Sequence, residues 1–294
     1  LIKFQNSKIE NLSKNLSSII ERELFNKRQN YKNYLRLIET NSIQSNLKKG
    51  YSILSKVNKI INNSKQVKEN DVIIMASAIT RLKENSFESM INNIRMAENF
   101  SRFIEKNKIA HIVFLSTVDV YGLVKQDTML NEKLLPGPND YYAMSKLSSE
   151  YILKKMCHKR HIPLLVLRLS GIYGPGDNGK STINKLIESA VINKKVVIYG
   201  DGEDKRDFVY IDDVCNILEM AVDHKTDGTF NVATGKSCSI KEIVEVIKQS
   251  TCGEFIVEFK ENANQHDERV KDMVYDVSLL RSTFTDIKLK DISE

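Results

Sequence analysis

Tyr142 and Lys146 stand four residues apart, so a helix through them puts both side chains on one face. A free phenol ionises near pH 10 (about its ordinary pKa) and is a poor base at neutrality. An ammonium beside it favours the phenolate and brings the group toward useful acid/base range. Thr117 lies twenty-five residues before Tyr142, just past the apolar run Ile109–Leu115 and Ser116. A hydroxyl at a strand end can share a substrate oxygen with the phenol. Together they can move a proton while a hydride leaves or joins the same carbon. A YxxxK pair alone is a weak signal, because solvated Tyr/Lys pairs on helices are common. Here four features coincide: a hydroxyl after a strand, the Val120-Tyr121-Gly122 turn, the spacing, and the helix that carries the pair.

A second constellation competes. Gly174-Pro175-Gly176-Asp177-Asn178-Gly179-Lys180-Ser181 satisfies both GxGxxG and GxxxxGK[ST], with a strand before it and a helix after it. Further on, Phe208–Asp213 has the form of an apolar run ending in a Mg²⁺-positioning aspartate. A P-loop NTPase is therefore the alternative. Asp177 argues against it, since a carboxylate would sit among amides meant for phosphate oxygens. His158 and His161 flank Lys159-Arg160 with no carboxylate to complete a metal set. Cations at a helix C-terminus explain them better, and no metal site is expected.

These groups need a scaffold. Apolar residues at Ile9, Leu12, Leu16, Ile19, Leu24, Tyr31, Leu35 and Ile38 make one stripe on a long helix that Gly50 ends. Short β-like runs follow at Tyr51–Leu54, Lys59–Ile61 and Val72–Met75. Strands then alternate with helices. Helices are expected over Ser86–Lys106, Tyr141–Lys159, Thr182–Asn193, from Asp212, and over Ile240–Ser250. Strands are expected at Ile109–Leu115, Pro163–Leu169, Lys195–Tyr199 and Gly228–Val232. Apolar runs without clean alternation argue for a parallel sheet covered on both faces. The fold class is α/β, a parallel sheet preceded by a long helix and a small β segment. The division expected is a basic arm over 1–50, a small β segment or junction over 51–75, and the layered domain over 76–294.

Composition narrows the function classes. The 294 residues are 41% hydrophobic, enough for a real core, and no apolar stretch approaches a bilayer span of about 20 residues. Four scattered cysteines without a CxxC pair read as reduced thiols in a cytoplasmic protein. The net charge of +6 is uneven, with +9 on residues 1–70 and −3 on the rest. The basic arm is read as a solvated helix, or as one that meets a partner helix or DNA. The chain opens on Leu1, so a fragment edge at either end stays open. Of twelve glycines only Gly50 precedes Gly122, which excludes a glycine-rich loop from the first 121 residues.

From about Val72 onward the chain resembles the extended short-chain dehydrogenases/reductases, the nucleotide-sugar epimerase and dehydratase family. The stretches that carry it are HIVFLSTVDVYG, YYAMSKLSSEYIL, VLRLSGIYGPGD, YGDGEDKRDFVYIDDV and TFNVATGKSCSIKEI. The resemblance implies that the sheet is a partial Rossmann-type one with a substrate-binding lobe. It implies that Tyr142 is the catalytic acid/base and that Lys146 lowers its pKa and holds the nicotinamide ribose. It gives Thr117 the Ser/Thr role, Ser116 a place on the cofactor side, and Arg206 a diphosphate contact suited to its fork. Ser170 stands where many relatives carry an asparagine toward substrate. Val118 and Asp119 stand where the 4,6-dehydratases carry an Asp-Glu pair, which argues for epimerase or reductase chemistry. The implied cofactor is NAD or NADP, the implied substrate a nucleotide sugar, and a homodimer is one implied assembly. The family's glycine-rich pyrophosphate turn has no counterpart here, so weak or absent NAD(P) binding by this polypeptide alone is expected. Residues 1–75 resemble the C-terminal part of the large subunit of exodeoxyribonuclease VII. That implies a DNA-associated assembly module as a third reading.

Overall fold

The computed structural model describes residues 54–56, 59–61, 71–123, 128–175, 177, 181–251, 255–261 and 273–293. The long helix expected over Ile9–Leu47 lies outside them. Strands β1 (Leu54–Lys56) and β2 (Lys59–Ile61) form an antiparallel hairpin; β2 is the expected run, whereas the run expected at Tyr51–Leu54 shares only Leu54 with β1, its other residues lying outside the described ones. There follow β3 (Val72–Met75), α1 (Phe87–Lys106), β4 (His111–Thr117), a 3-10 turn (Val118–Tyr121), β5 (Met129–Leu130), α2 (Tyr141–Arg160), β6 (Leu164–Leu169) and β7 (Gly171–Tyr173). Next come α3 (Thr182–Val191), β8 (Lys195–Tyr199), β9 (Lys205–Arg206), β10 (Phe208–Tyr210), α4 (Ile211–His224) and β11 (Gly228–Val232). The chain closes with β12 (Cys238–Ser239), α5 (Ile240–Thr251), β13 (Ile256–Lys260), β14 (Val274–Tyr275) and α6 (Ser278–Thr283).

The central sheet has the order β11-β6-β4-β3, and all of its neighbours are parallel. Every residue of β6 is buried and β4 is nearly so, as strands covered on both faces must be. Helices α1 and α2 pack against each other and α2 lies on β4. Val72–Met75 joins this sheet and not the hairpin. A second core, built on Ile183, Val196, Ile198, Ile243 and Ile247, joins α3 and α5 to the parallel pair β8/β13 and forms the lobe. The α/β architecture with a parallel Rossmann-type sheet is as the sequence predicts.

Ladder pairing moves one boundary. The strand expected at Ile109–Leu115 runs over His111–Thr117, because Val72 pairs with His111 and Thr117 pairs with Leu169. Thr117 is thus the last strand residue, held by the sheet on one side and opening the 3-10 turn on the other. Both long helices are capped as their sequences allow. Ser86 and Ser89 exchange side chain-to-backbone hydrogen bonds at the start of α1, and the Asp140 carboxylate accepts from Ala143 N at 2.7 Å at the start of α2. His161 ends α2 in the left-handed region, after a last turn of His158, Lys159 and Arg160 that complements the helix dipole.

One buried charge pair sits under the strand ends. Arg168 of β6 donates to Glu150 of α2 through Nε at 3.1 Å and Nη2 at 2.9 Å, and Ser116 Oγ donates to the same carboxylate at 2.6 Å. The Arg168 guanidinium also stacks on the Tyr121 ring, and the Tyr121 hydroxyl donates to Asn231 Oδ1 at 2.7 Å. The carboxylate raises the pKa of Arg168 despite burial. Removing one partner of such a pair leaves a buried charge uncompensated. Glu150→Ala is therefore expected to lower unfolding free energy by about 3–5 kcal/mol, read from urea unfolding curves. A loss within the range of an exposed ion pair would contradict this account.

Candidate active site

A cavity of about 320 Å³ opens at the C-terminal ends of β4 and β6, the end of a parallel sheet where ligands bind. Its lining includes Thr117, Asp119, Tyr142, Ser170, Arg206 and Tyr275, with Arg81 from the loop after β3. Of the residues singled out in the sequence, four meet there: Thr117, Tyr142, Ser170 and Arg206. Lys146 and Ser116 do not line it. They lie behind the strand end, each buried.

Thr117 Oγ1 accepts from Asp119 N at 3.2 Å, which leaves the hydroxyl proton for a substrate oxygen. Tyr142 sits in the first turn of α2, its amide donating to Asn85 Oδ1 at 3.2 Å. Ser170 Oγ is buried without a hydrogen-bond partner among the described residues, a hydroxyl left for a ligand. Arg206 Nη1 donates to the Lys205 carbonyl at 3.0 Å. Its neighbour Asp207 accepts from Thr234 N and Oγ1 and from Gly235 N. Burial nonetheless pushes the Asp207 carboxyl up to about 6.

The electrostatics differ from the simple tyrosine–lysine picture. Lys146 Nζ donates to the Leu115 carbonyl at 2.7 Å and lies 4.9 Å from the Phe114 ring centroid and 5.9 Å from that of Tyr142. Burial pulls its pKa down to about 8, with Glu150 opposing. Burial, then Asp119 and Asp140, push the Tyr142 phenol up to about 12, and the cation that works against this is Arg81. In this arrangement Tyr142 is a proton donor, able to share a carbonyl oxygen with Thr117. To act as a base it needs positive charge brought nearer its hydroxyl.

Sequence reasoning missed Arg81 and Tyr275. Arg81 lies in a loop without periodicity, and Tyr275 follows a stretch with no pattern of its own. Gly176, Asn178, Gly179 and Lys180 of the P-loop-like segment lie outside the described residues. Its described part is already engaged: Asp177 Oδ2 accepts from Ser181 N at 2.9 Å, and Ser181 Oγ accepts from Asn184 N at 3.2 Å. The amides at this helix start therefore serve protein oxygens. Asp213, in the place of a Mg²⁺ aspartate, is buried and accepts from Lys290 N at 2.8 Å. Among the described residues no group of histidine, cysteine, aspartate or glutamate side chains could hold a metal ion, and no helix is long and apolar enough to cross a membrane. Cys157, Cys215 and Cys238 are free thiols.

The burial of Lys146 makes stability depend on pH with a definite sign. Its folded pKa of about 8 lies below the ordinary 10.5, so between those values the unfolded chain binds more protons and stability rises with pH. Lys146→Met removes that cost and loses one hydrogen bond, two effects of about 3 and 1 kcal/mol. The variant should be more stable than the parent at pH 7 by about 2 kcal/mol, and the advantage should vanish by about pH 10.5. Parallel urea titrations at the two pH values check this, and a less stable variant at pH 7 would refute it.

Residues 29–233 match the model of the NAD dependent epimerase/dehydratase family. The chain is 27% identical over 215 residues to GDP-6-deoxy-D-talose 4-dehydrogenase of Aggregatibacter actinomycetemcomitans, covering 71% of each. It is 27% identical over 192 residues to dTDP-D-glucose 4,6-dehydratase of Dictyostelium discoideum, covering 60% of this chain but only 44% of that protein. Among solved structures it resembles UDP-N-acetylglucosamine 4-epimerase from Methanobrevibacter ruminantium M1, with a TM-score of 0.69 and 25% identity over 78% of this chain and 74% of that one. UDP-glucuronic acid 4-epimerase from Bacillus cereus has the same fold, with a TM-score of 0.69 and 24% identity over 79% and 75%. The family match begins at residue 29 and so runs through much of the segment that resembles exodeoxyribonuclease VII, a resemblance that these relatives do not support. A matching family model over more than half its length, on a parallel sheet with the family's motifs at the strand ends, places this chain in the NAD dependent epimerase/dehydratase family.

Proposed function

We propose that this chain carries the acid–base and substrate side of an NAD(P)-dependent nucleotide-sugar epimerase or reductase. The observation that carries the reading is the meeting of Thr117, Tyr142, Ser170 and Arg206 in one cavity at the strand ends. Thr117 donates to the reacting oxygen of the sugar, and Tyr142 gives that oxygen its proton or takes it. Arg206 meets the diphosphate through its planar fork, and Ser170 offers its unpartnered hydroxyl to the substrate. Val118 is buried in the core and Asp119 pairs with Arg81. The two positions that carry the Asp-Glu pair of the 4,6-dehydratases therefore offer a buried valine and an ion-paired aspartate, which supports epimerase or reductase over dehydratase chemistry.

The described residues fit the nicotinamide end of the cofactor better than its pyrophosphate. Tyr142 reaches the cavity and would meet the nicotinamide ribose, whereas Lys146 is buried behind it with its Nζ on the Leu115 carbonyl, so the ribose contact that the resemblance implies for Lys146 would need that bond released. Ser116 supports that side only through Glu150. Gly122 supplies no phosphate cradle: a Cβ there would collide with the Gly137 carbonyl oxygen, so the turn is closed by backbone. When bound, the nicotinamide would supply the hydride acceptor in its oxidised form and the hydride donor in its reduced form. The chain's own residues position the sugar and manage the proton.

The basic segment over residues 1–50 belongs to the same proposal as an arm that meets a partner helix, a second copy or DNA. Its support is the +9 charge on residues 1–70 and the apolar stripe. A cytoplasmic location is proposed from the scattered cysteines.

Two outcomes follow. Tyr142→Phe should cost at least about a hundredfold in NAD(P)-linked turnover of a UDP- or GDP-sugar, measured against the parent chain. Activity that survives Tyr142→Phe, or ATP hydrolysis lost in Lys180→Ala, would reverse the assignment. Fluorescence titration of the 294-residue chain with NADH should give binding weaker than micromolar. Micromolar binding would mean that residues 1–70 supply a pyrophosphate site without a glycine turn.

A further inference from the structure

Between β3 and α1 the chain crosses the cavity rim as the loop 76–86, and several of its polar groups fasten it to other elements. Asn93 of α1 grips the loop at Ile79, accepting from Ile79 N at 2.7 Å and donating to Ile79 O at 3.0 Å. The same amide donates to Ser145 Oγ of α2 at 3.1 Å. Asn85 Oδ1 accepts from Tyr142 N. Between these anchors Arg81 Nη1 lies 3.3 Å from Asp140 Oδ2 and 3.4 Å from Asp119 Oδ2.

The two carboxylates belong to different elements, and each is tied to one of the reacting hydroxyls. Asp119 is the residue whose amide Thr117 Oγ1 accepts, in the 3-10 turn that leaves β4. Asp140 is the N-cap of the helix whose first turn bears Tyr142. Without a cation between them the carboxylates would repel, and the turn and the helix end would move apart. Two carboxylates against one guanidinium also leave no spare positive charge for an anionic sugar.

We propose that Arg81 is the positioning residue of this site, a guanidinium strut that sets the separation of the Thr117 turn from the Tyr142 helix end. The inference rests on the reading of Thr117 and Tyr142 as the proton-handling pair, and it assigns Arg81 no contact with substrate. A strut acts on geometry, and small displacements of reacting groups are costly in rate while they leave ground-state binding nearly intact. The groups that face the Tyr142 phenol are Arg81 from the loop, Asp119 from the turn, Asp140 at the cap and Lys146 one turn along. Removing Arg81 leaves the two carboxylates unopposed beside the phenol.

The test compares Arg81→Gln and Arg81→Lys in the full chain. With UDP- or GDP-sugar and NAD(P), Arg81→Gln should lower kcat on the order of ten- to a hundredfold with KM for the sugar unchanged, and Arg81→Lys should recover most of the loss. Titration of ¹³C-labelled tyrosines by NMR, with the Tyr142 signal assigned from Tyr142→Phe, gives a reading that needs no turnover. The Tyr142 transition should move to higher pH in Arg81→Gln and return toward the parent in Arg81→Lys. Because Arg81 is half exposed, the thermal midpoint should hardly change. A rise in KM with kcat intact would make Arg81 a substrate contact and overturn the strut. So would a Tyr142 transition that stays where it was in Arg81→Gln. A parent chain without activity would defeat the functional reading alone, and the titration would still decide on Arg81.

Discussion

A buried carboxylate must be satisfied by hydrogen bonds and opposite charge, and Glu150 is where this fold meets that demand. Arg168 reaches it from β6, Ser116 from β4, and Lys146 lies one helical turn before it. The pair ties α2 to the two central strands at the depth where the strands end. Buried ion pairs seldom add net stability over an apolar replacement, so their value lies in permitting few arrangements. Here the permitted arrangement puts Thr117 at the last rung of β4 and Tyr142 at the first turn of α2, opening on a common cavity.

The same packing explains why the site has a protonated phenol. Lys146 is drawn down to the Leu115 carbonyl, so its charge is spent on the strand end and lies nearer the Phe114 ring than the tyrosine. Asp119 and Asp140 surround the phenol with negative charge, and Arg81 is the cation among them. The acid/base character of Tyr142 is therefore set by three residues from three separate loops or helix ends as much as by the lysine on its own helix. A proton donor that becomes a base when positive charge approaches suits a reaction in which charge changes at the neighbouring carbon.

The apparent phosphate loop shows how a motif can be satisfied in letters and not in chemistry. Ser181 and Asp177 fill the amides at the start of α3, and Asp213 holds the C-terminal segment through Lys290 N. The first contacts shape the start of α3, and the last ties α4 to the C-terminal segment. Their residues recur in nucleotide-binding loops because capping a helix and holding a phosphate draw on the same donors.

Local pattern alone determined much of this protein. Helices α1 and α2 begin at Ser86 and Asp140 because those side chains cap, and β6 and β11 fall where the apolar runs stand. The tyrosine and threonine of the cavity were likewise legible, since their spacing follows a strand end and a helix turn, whereas the serine and arginine came only from the family resemblance. Tertiary structure decided what depends on residues distant in the chain. Pairing with Val72 and Leu164 slid β4 by two residues and kept Ser116 and Thr117 in the sheet. Folding brought Arg81 to carboxylates far along the sequence and turned Lys146 toward a carbonyl in place of a phenol. A charge answers to whatever lies within a few ångströms of it, and one-dimensional spacing records such neighbours only when they share a helix or a strand.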